Sequence, residues 1–407
     1  MRPNKQSPAH ETGLCAELVC SNSLKSKRLD TASGLLKAEC KLLGCRLLPI
    51  AEGVQVPAGQ ALAVDREAFA QAVSSELESH PKITIIRDEF TTFPQTPCIL
   101  ATGPLTSDAM MQSLRELIGD QHLYFFDAIA PIVSRDSLNF EKIYRKDRYD
   151  KGDADYLNCP FEKEDYLRFV EALIEGEKHQ AHEFEDVFFA SVKFSFYENC
   201  MPVEEIARRG VDTLRHGVLK PMGLEDPRTG RKPYAVLQLR TENKDLSAYN
   251  LVGCQTMLRY PEQRKIFRLI PGLEDAEFLR YGSIHRNSYL NAPQVFNQDL
   301  SLKAASNIWI AGQLSGVEGY MESIASGLLI ARIILGDLSS LPATSILGSL
   351  WQRMTDSTSA LFQPVNANFG LLPGLENAPR DKKQKKEQLS ERSLADLSKI
   401  FHKPIHL

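Results

Sequence analysis

The sequence predicts an α/β fold into which an α+β domain is inserted. A strand, helix, strand succession occupies the first 110 residues, and a strand, glycine turn, helix pattern returns at residues 308–335. Between about residues 123 and 271, aromatic residues, charges and loops dominate instead. The predicted boundaries are 1–110 for the first part of the α/β domain, 111–278 for the insertion, 279–375 for its second part and 376–407 for a charged tail.

The first part contains three recognisable elements. Apolar residues recur at helical spacing in "QALAVDREAFAQAVSSEL" after Asp65, which is a suitable N-cap. "ITIIRDEF" alternates as a strand does, and "PCILATGPL" is an apolar strand that stops at Gly103. A shorter helical pattern covers residues 34–47.

The insertion and the tail carry weaker patterns. Residues 164–177 have helical periodicity within the insertion. The tail segment "RDKKQKKEQLSERS" is dense in charge and poor in apolar residues. Such a composition predicts a solvated or frayed helix.

Composition excludes several classes of protein. The 407 residues carry a formal net charge of −4, so any nucleic acid must be held by a local basic face. The eight cysteines form no Cys-x-x-Cys pair, which argues against a zinc site, and we predict no metal. The N-terminus lacks an apolar signal core, and no run of 18 apolar residues occurs. We expect a reduced, cytoplasmic protein without a membrane segment.

Two glycine-containing turns are candidate cofactor sites. The strand near Ile308 runs directly into Gly312, Gly316 and Gly319, and a helix is predicted to begin near Tyr320. Glycines allow close approach of a ligand, and a helix N-terminus favours a phosphate or the pyrimidine end of a flavin. An ordinary tight turn is the alternative. Likewise "ILATGPL" is similar to the Ala-Thr-Gly motif of two-dinucleotide-domain flavoproteins, or is simply a strand end.

Two cysteines lie in unusual surroundings. Cys20 in "ELVCSNSL" is followed by serine and asparagine residues that favour a turn, although most free cysteines lie in cores. Cys200 precedes Met201 and Pro202, and Pro202 with two glutamates marks a helix start. A thiol beside a helix N-terminus is stabilised as the thiolate, whereas a buried structural cysteine is the alternative.

Basic residues and one histidine complete the candidates. The segment from Arg208 to Lys220 adds cations that favour both a thiolate and a nucleic-acid phosphate. His285 stands between Arg280 and Arg286 in a polar segment predicted to be extended. A lone histidine is commonly a satisfied hydrogen-bonding group, but the polar surroundings here favour a ligand-facing role equally.

These motifs together resemble the folate- and FAD-dependent tRNA (uracil-5-)-methyltransferases, from Met1 to about residue 373. The resemblance is carried by "MRPNKQSPAHETGLCAELVCSNSL", "VPAGQALAVDREAF", "ILATGPLTS", "DAIAPIV", "RYDKGDADYLNCP", "CMPVEEIARRG", "KPYAVLQLR", "GVEGYMESIASG" and "NFGLLP". It implies a discontinuous, Rossmann-like FAD-binding flavoprotein domain with an inserted domain. It also implies methylation of the T-loop uridine of tRNA at C5. The carbon would come from 5,10-methylenetetrahydrofolate, and the electrons from FAD reduced by NAD(P)H.

The resemblance also assigns residues. It implies that Cys200 attacks C6 of uracil, that Cys20 is the acid/base partner, and that His285, with Arg286 beside it, holds the folate pterin against the flavin. The FAD contacts it implies are Gly103, Gly312, Gln313, Gly316, Val317, Glu318, Gly319 and Tyr320. The cations that would bind RNA are Arg208, Arg209, Arg215 and Lys220.

One departure from the family pattern stands at the start of the chain. Family members carry a Gly-x-Gly-x-x-Gly turn before the "MRP" motif, with which this sequence begins. We expect this turn to be encoded upstream of Met1. The alternatives are a remnant that binds tRNA without FAD or catalysis, and a different flavin oxidoreductase similar to the enzymes that modify the tRNA wobble uridine.

Overall fold

The protein is described by a computed structural model that covers residues 10–119, 122–128, 130–178, 201–357 and 362–401, with the backbone alone for 122–128 and 284–287. Its strands are β1 Ser23–Ser26, β2 Gln55–Val56, β3 Ala61–Val64, β4 Cys98–Leu100, β5 His122–Ala128, β6 Ile132–Ser134, β7 Tyr144–Arg145, β8 Leu157–Phe161, β9 Ala235–Thr241, β10 Ala248–Leu251, β11 Phe278–Arg280, β12 Ile284–Leu290, β13 Ser301–Leu302 and β14 Ala305–Ile310. Its helices are α1 Ala32–Leu42, α2 Leu47–Gly53, α3 Arg66–Ser79, α4 Asp108–Ile118, α5 Lys163–Glu175, α6 Val203–Arg208, α7 Thr213–His216, α8 Tyr260–Phe267, α9 Ala292–Val295, α10 Tyr320–Ile334, α11 Ile346–Thr355 and α12 Lys382–Ile400. Within these ranges, no helix combines the length and apolar composition that crossing a bilayer requires.

The first core joins the two ends of the chain. It gathers buried residues from Leu18 to Leu114 and from Tyr289 to Leu397. At its centre β4 and β14 pair in parallel, with Ile308 opposite Cys98, and α10 follows β14 as the sequence predicts. The helix predicted after Asp65 is confirmed, because the Asp65 carboxylate accepts the Ala68 N–H at 3.0 Å.

The second core belongs to the insertion. A six-stranded antiparallel sheet in the order β11-β6-β10-β9-β8-β7 carries it. Helices α5, α6 and α8 cover the sheet with buried side chains that include Phe169, Val203 and Phe267. The helix predicted at residues 164–177 is confirmed as α5.

A two-stranded antiparallel ladder links the two cores. Strands β5 and β12 pair from Leu290 opposite His122 to Ile284 opposite Ala128. Just before β5, helix α4 extends across the predicted boundary at residue 110. Its residues Met111 and Leu114 lie in the first core, so the first part of the α/β domain ends after α4.

One predicted strand is wrong. "ITIIRDEF" forms no strand and pairs with no described strand, and Ile86 is 80% exposed. Alternation of apolar residues indicates which side chains could share a face. It does not provide the neighbouring backbone whose N–H and C=O groups a strand needs.

The predicted tail helix forms as α12 and is solvated over residues 382–386, but its later turns dock on the first core. Helix α12 buries Leu389 and Leu397 in the first core. Its Ser390 hydroxyl donates to the carbonyl oxygen of Leu29 at 2.6 Å. A few apolar residues at helical spacing form a narrow stripe, which the average composition of the segment conceals.

The buried carboxylate of Glu39 joins three helices of this core. It accepts the N–H groups of Ile346 at 2.9 Å and Leu347 at 2.8 Å, and the hydroxyl of Ser393 at 2.6 Å. Glu39 thus connects α1 to the first turn of α11 and to α12. Burial raises the pKa of Glu39 to about 7 despite these donors.

We predict that replacing Leu397 with alanine lowers the free energy of unfolding by about 2–4 kcal/mol, because a fully buried leucine leaves a cavity. Ile400→Ala is the matched control, since Ile400 lies on the same helix but is 47% exposed. Urea denaturation measures both. Equal, small losses would mean that α12 does not pack as described.

We predict that Glu39 makes stability depend on pH. The pKa of Glu39 in the fold exceeds that of an unfolded glutamate, so its contribution is fully present below the unfolded pKa and is lost as the pH rises through about 7. The stability of the wild type relative to Glu39→Gln should therefore fall by about 2 kcal/mol between pH 5 and pH 8.

Denaturation at several pH values tests this expectation. Glu67→Gln is the control, because Glu67 is exposed, and it should show no such trend. A Glu39→Gln difference that stays constant with pH would contradict it.

Candidate active site

The polar turn at Cys20 is held by the first residue of helix α10. The hydroxyl of Tyr320 accepts the N–H of Cys20 at 2.8 Å and lies 3.4 Å from the N–H of Ser21. Burial raises the pKa of Tyr320, and the neighbouring Cys20 adds to this effect, so the phenol stays neutral. The turn that carries the Cys20 thiol is thereby fixed beside Gly319, at the end of the glycine-rich loop of residues 312–319.

The same turn is held from the other side by the insertion. The buried Asn22 amide donates to the carbonyl oxygens of Val64 at 3.1 Å and Thr241 at 3.0 Å. The Arg240 guanidinium, at the end of β9, donates to the Asn22 amide oxygen at 2.9 Å and to the Ser21 hydroxyl at 2.8 Å. The serine and asparagine after Cys20 therefore serve to join the two cores.

Two further arginines, Arg66 and Arg280, lie next to this turn. Arg66 donates to the carbonyl oxygen of Leu18 at 2.9 Å and to the carboxylate of Glu242 at 2.5 Å. The pKa of Arg280 is lowered by burial and by the positive charge of Arg66. Cys20 lies within electrostatic reach of both arginines. Each guanidinium is paired with a carboxylate, Arg66 with Glu242 and Arg280 with Glu11 at 3.6 Å, so the turn lies among paired charges.

The loops after the parallel strands fit a bound cofactor. Gly103 follows β4 and Gly312 follows β14, and because these strands are parallel, both loops emerge at one edge of the sheet. Both glycines have positive φ, 76° in each case. A Cβ at Gly103 would meet nothing within 4 Å, and one at Gly312 would meet only Ser323, at 3.8 Å. The backbone is open to a ligand at both positions, as an FAD site requires.

Other members of the predicted FAD set contact the chain itself. A Cβ at Gly316 would lie 2.4 Å from the Phe362 ring, so this glycine is needed for internal packing. Val317 is fully buried in the first core. The Gln313 amide donates to the Glu318 carboxylate at 2.8 Å, which stiffens the loop between them.

Buried charges lie beneath the last glycine of the loop. A Cβ at Gly319 would stand 2.3 Å from a Glu322 oxygen and 3.0 Å from the Lys25 Nζ. The fully buried Glu322 accepts from Lys25 at 3.2 Å and from the N–H of Ala367 at 2.8 Å. Lys37 is buried nearby, and burial lowers its pKa to about 8. Charged groups from β1, α1 and α10 therefore meet at the N-terminus of α10.

The backbone of the predicted folate residues lies beside these loops. His285 and Arg286 pair with residues 127 and 126 in the β5–β12 ladder, and their side chains lie outside the description. Further along β12, the N–H of Ser288 donates to the carbonyl oxygen of Pro104 at 3.1 Å. The strand that carries His285 thus runs past the loop at Gly103.

Cys200 lies outside the described residues, but the helix after it is described. Helix α6 begins at Val203, with Pro202 as its N-cap residue rather than the first helical residue. The buried Glu204 carboxylate accepts the N–H of Met257 at 2.8 Å and the hydroxyl of Thr256 at 3.0 Å. This anchors the first turn of α6 to the chain after β10.

The predicted RNA-binding cations lie on and after α6 and α7. Arg208, Arg209 and Lys220 are exposed, although Arg208 also donates to a backbone carbonyl. Arg215 is half-buried, and its guanidinium lies 4.1 Å from the centre of the Tyr234 ring. Three of the four cations are therefore accessible to an anionic partner.

Sequence reasoning missed the residues that hold the Cys20 turn. Arg66 follows the N-cap residue Asp65. Arg240 and Glu242 come at the end of an apolar strand. Charged residues are common at both kinds of position. Lys25 and Glu322 are equally unremarkable in the sequence. The available signal was a charged residue directly after the apolar run "AVLQL", and it does not indicate a partner more than 200 residues away.

Comparison with known proteins gives three kinds of match. The sequence model of the family described as "Glucose inhibited division protein A" matches residues 7–341. A methylenetetrahydrofolate–tRNA-(uracil-5-)-methyltransferase TrmFO from Halalkalibacterium halodurans is 47% identical, over 99% of this chain and 92% of its own. The proteins of that name from Moorella thermoacetica and Geobacter sulfurreducens are each 49% identical, over 97% and 98% of this chain and 90% and 91% of their own.

A solved structure supports the fold independently. Aquifex aeolicus GidA in its form II crystal superposes with a TM-score of 0.66 over 95% of this chain and 67% of that chain, at 12% identity. The form I crystal gives the same score over 69% of that chain. The predicted α/β fold is confirmed at this level.

We predict that replacing Tyr320 with phenylalanine increases the rate of Cys20 alkylation. The variant removes the oxygen that accepts the Cys20 N–H, so the turn loosens while the unfolding free energy falls by about 1 kcal/mol. Mass spectrometry of the peptide that contains Cys20 measures its alkylation by iodoacetamide over time.

Tyr144→Phe is the control. It removes a hydroxyl that donates to the carbonyl oxygen of Leu224 in the insertion, so it should lower stability without changing alkylation of Cys20. Unchanged Cys20 alkylation in Tyr320→Phe would contradict the role of Tyr320.

Proposed function

Because this chain belongs to the TrmFO family of methylenetetrahydrofolate–tRNA-(uracil-5-)-methyltransferases, within the wider glucose inhibited division protein A family, we propose that it methylates the T-loop uridine of tRNA at C5. It is a folate-dependent tRNA (uracil-5-)-methyltransferase, and its cofactor is FAD. The finer proposals are the T-loop as target, NAD(P)H as the reductant and the cytoplasm, where mature tRNA is found, as the location.

The observation that carries this proposal is the contact between the Cys20 turn and the end of the glycine-rich loop. The Tyr320 hydroxyl lies 2.8 Å from the backbone nitrogen of Cys20. A ligand bound over Gly312 and Gly103 would therefore have a thiol at its edge. FAD bound there would supply the electrons that reduce the one-carbon unit of the folate.

We assign the nucleophile to Cys200 and the acid/base role to Cys20. Uracil C5 is a weak nucleophile until a thiolate adds to C6, which breaks the C5–C6 double bond and places an electron pair on C5. After C5 has gained its carbon, a base must remove the C5 proton so that the C6–S bond can break and the ring double bond can return. The Tyr320 hydroxyl, which accepts the Cys20 N–H at 2.8 Å, holds the thiol in place for that proton transfer.

The residues proposed to bind folate and FAD lie at or beside the same edge of the sheet. Gly103 and Gly312, at the open loops, are the proposed FAD contacts, and the packed turn from Gly316 to Tyr320 supports the second loop. His285 and Arg286 lie on the strand that passes the Gly103 loop, and we assign them to the folate. The cations proposed for the tRNA backbone are those of the insertion: Arg208, Arg209, Arg215 and Lys220.

The alternative of a remnant that binds tRNA without catalysis is not favoured. Identity of 45–49% with the named methyltransferases extends over nearly the whole chain. No described residue favours another flavin reaction, whereas the thiol of Cys20 has a use in the activation of uracil.

We predict that Cys200→Ala and Cys20→Ala each lower 5-methyluridine formation by about a hundredfold or more, since each removes a group that acts on the pyrimidine. The protein is expressed from its complete reading frame and incubated with tRNA transcript, 5,10-methylenetetrahydrofolate, FAD and NADPH or NADH. Mass spectrometry of the digested tRNA quantifies the product.

Cys15→Ala is the matched control, because Cys15 is a partly exposed thiol in the same segment. It should keep nearly full activity. A tRNA transcript with cytidine in place of the target uridine of the T-loop should receive no methyl group. Full activity of Cys200→Ala would contradict the assignment of the nucleophile, and failure of the wild type to modify any uridine would contradict the proposed function.

A further inference from the structure

We propose that Tyr149 and the cations around it form a second RNA-binding surface, on which an unpaired base of the tRNA stacks outside the reaction site. This inference rests on the proposed function and specifies how its RNA substrate is held. It concerns the loop between β7 and β8, residues 146–156, together with residues 220–232, which we call the Tyr149 surface. None of the residues predicted from sequence, Lys220 excepted, belongs to it.

The backbone of this loop is held in an unfavourable conformation. Tyr149 and Asp150 have φ of 61° and 52°, in the left-handed region that bulky residues avoid. Hydrogen bonds maintain it, because the N–H of Tyr149 donates to the carbonyl oxygen of Gly223 at 2.9 Å and Asp147 accepts the N–H of Asp155 at 3.0 Å. Such strain commonly accompanies functional loops.

The strained conformation presents the Tyr149 ring to solvent. One side of the ring packs on Gly223, where a Cβ would stand 2.4 Å from a ring carbon. The side chain is nevertheless 52% exposed. A half-exposed aromatic ring that packs on a glycine offers a surface on which a base can stack.

The charges around the ring favour an anionic partner. The Lys151 Nζ lies 5.8 Å from the ring centre, and Lys232 contacts the sulfur of Met222 at 2.7 Å. Arg148 donates to the carbonyl oxygens of Lys220 at 2.9 Å and Met222 at 2.7 Å, which gathers these cations at one place.

Most carboxylates of the Tyr149 surface are already engaged. Asp147 and Asp155 accept backbone N–H groups, and Asp150 and Asp226 pair with Lys146 and Arg228. Within the Tyr149 surface, fewer acidic than basic side chains are exposed. Aromatic and cationic groups together recognise single-stranded nucleic acid, whereas an acidic peptide would need only the charge.

The Tyr149 surface lies at the same end of the insertion as the Cys20 turn. Tyr156 closes the loop, and its hydroxyl lies 3.5 Å from the carbonyl oxygen of Ala58, in the turn before β3. Asp155 also accepts the N–H of Gly59 in the turn between β2 and β3, at 2.5 Å. One RNA substrate can therefore engage the Tyr149 surface and the Cys20 turn together.

Affinity for an unmodified tRNA transcript tests the proposal. Filter binding at several KCl concentrations should show a Kd on the order of tenfold higher for Tyr149→Ala and Tyr149→Asn, with an unchanged salt slope, because stacking is not ionic. Asparagine tolerates positive φ, so Tyr149→Asn removes the ring while keeping the loop. Tyr149→Phe should bind as the wild type does, and Lys151→Ala should lower the salt slope by about 1.

Phe140→Ala is the matched control, since Phe140 is an exposed ring beside Arg135 elsewhere in the insertion. Its Kd should equal that of the wild type. Methylation by Tyr149→Asn at saturating tRNA should be unchanged, whereas its KM for tRNA should rise. Wild-type affinity in both Tyr149→Ala and Tyr149→Asn would overturn the inference while leaving the proposed function intact. A wild type that binds no tRNA would overturn both.

Discussion

The buried side chain of Asn22 is the contact on which the arrangement of the site depends. Its amide is fully buried between the two cores and makes hydrogen bonds to Val64, Thr241 and Arg240. An amide removed from water costs free energy unless each of its polar atoms finds a partner. Strand β9 of the insertion must therefore end where β3 and the Cys20 turn can meet it. The orientation of the two domains and the position of the thiol are set by one requirement.

Ion pairs of charged residues lie on both sides of the Asn22 contact. Arg66 connects the chain before Cys20 to Glu242, and Glu322 connects Lys25 to the segment near Ala367. A buried ion pair adds little to stability by itself, but loss of one partner is costly, so such pairs fix which segments lie together. The reactive turn is consequently rigid, although its residue types alone would favour a flexible loop.

The two glycine loops have distinct physical roles. Gly103 and Gly312 leave space at the carboxyl edge of a parallel strand pair, where α/β proteins bind ligands. Gly316 instead makes room for Phe362, and Gly319 makes room for Glu322. Part of the glycine pattern thus serves the ligand and part serves the packing that holds the loop. The sequence pattern does not distinguish these uses, since both need a residue without a side chain.

The sequence by itself determined the helices after Asp65 and Gly319, the strands at Ile308 and Cys98, and the polar turn after Cys20. These features depend on local periodicity, capping and turn chemistry, which act within a few residues. Only the tertiary structure decided that "ITIIRDEF" pairs with no described strand, that α12 docks through Leu389 and Leu397, and that Arg66 and Arg240 hold the Cys20 turn. Each of these outcomes depends on a partner distant in the sequence. A buried hydrogen bond or a sheet edge is defined by both of its sides, and one stretch of sequence contains only one of them.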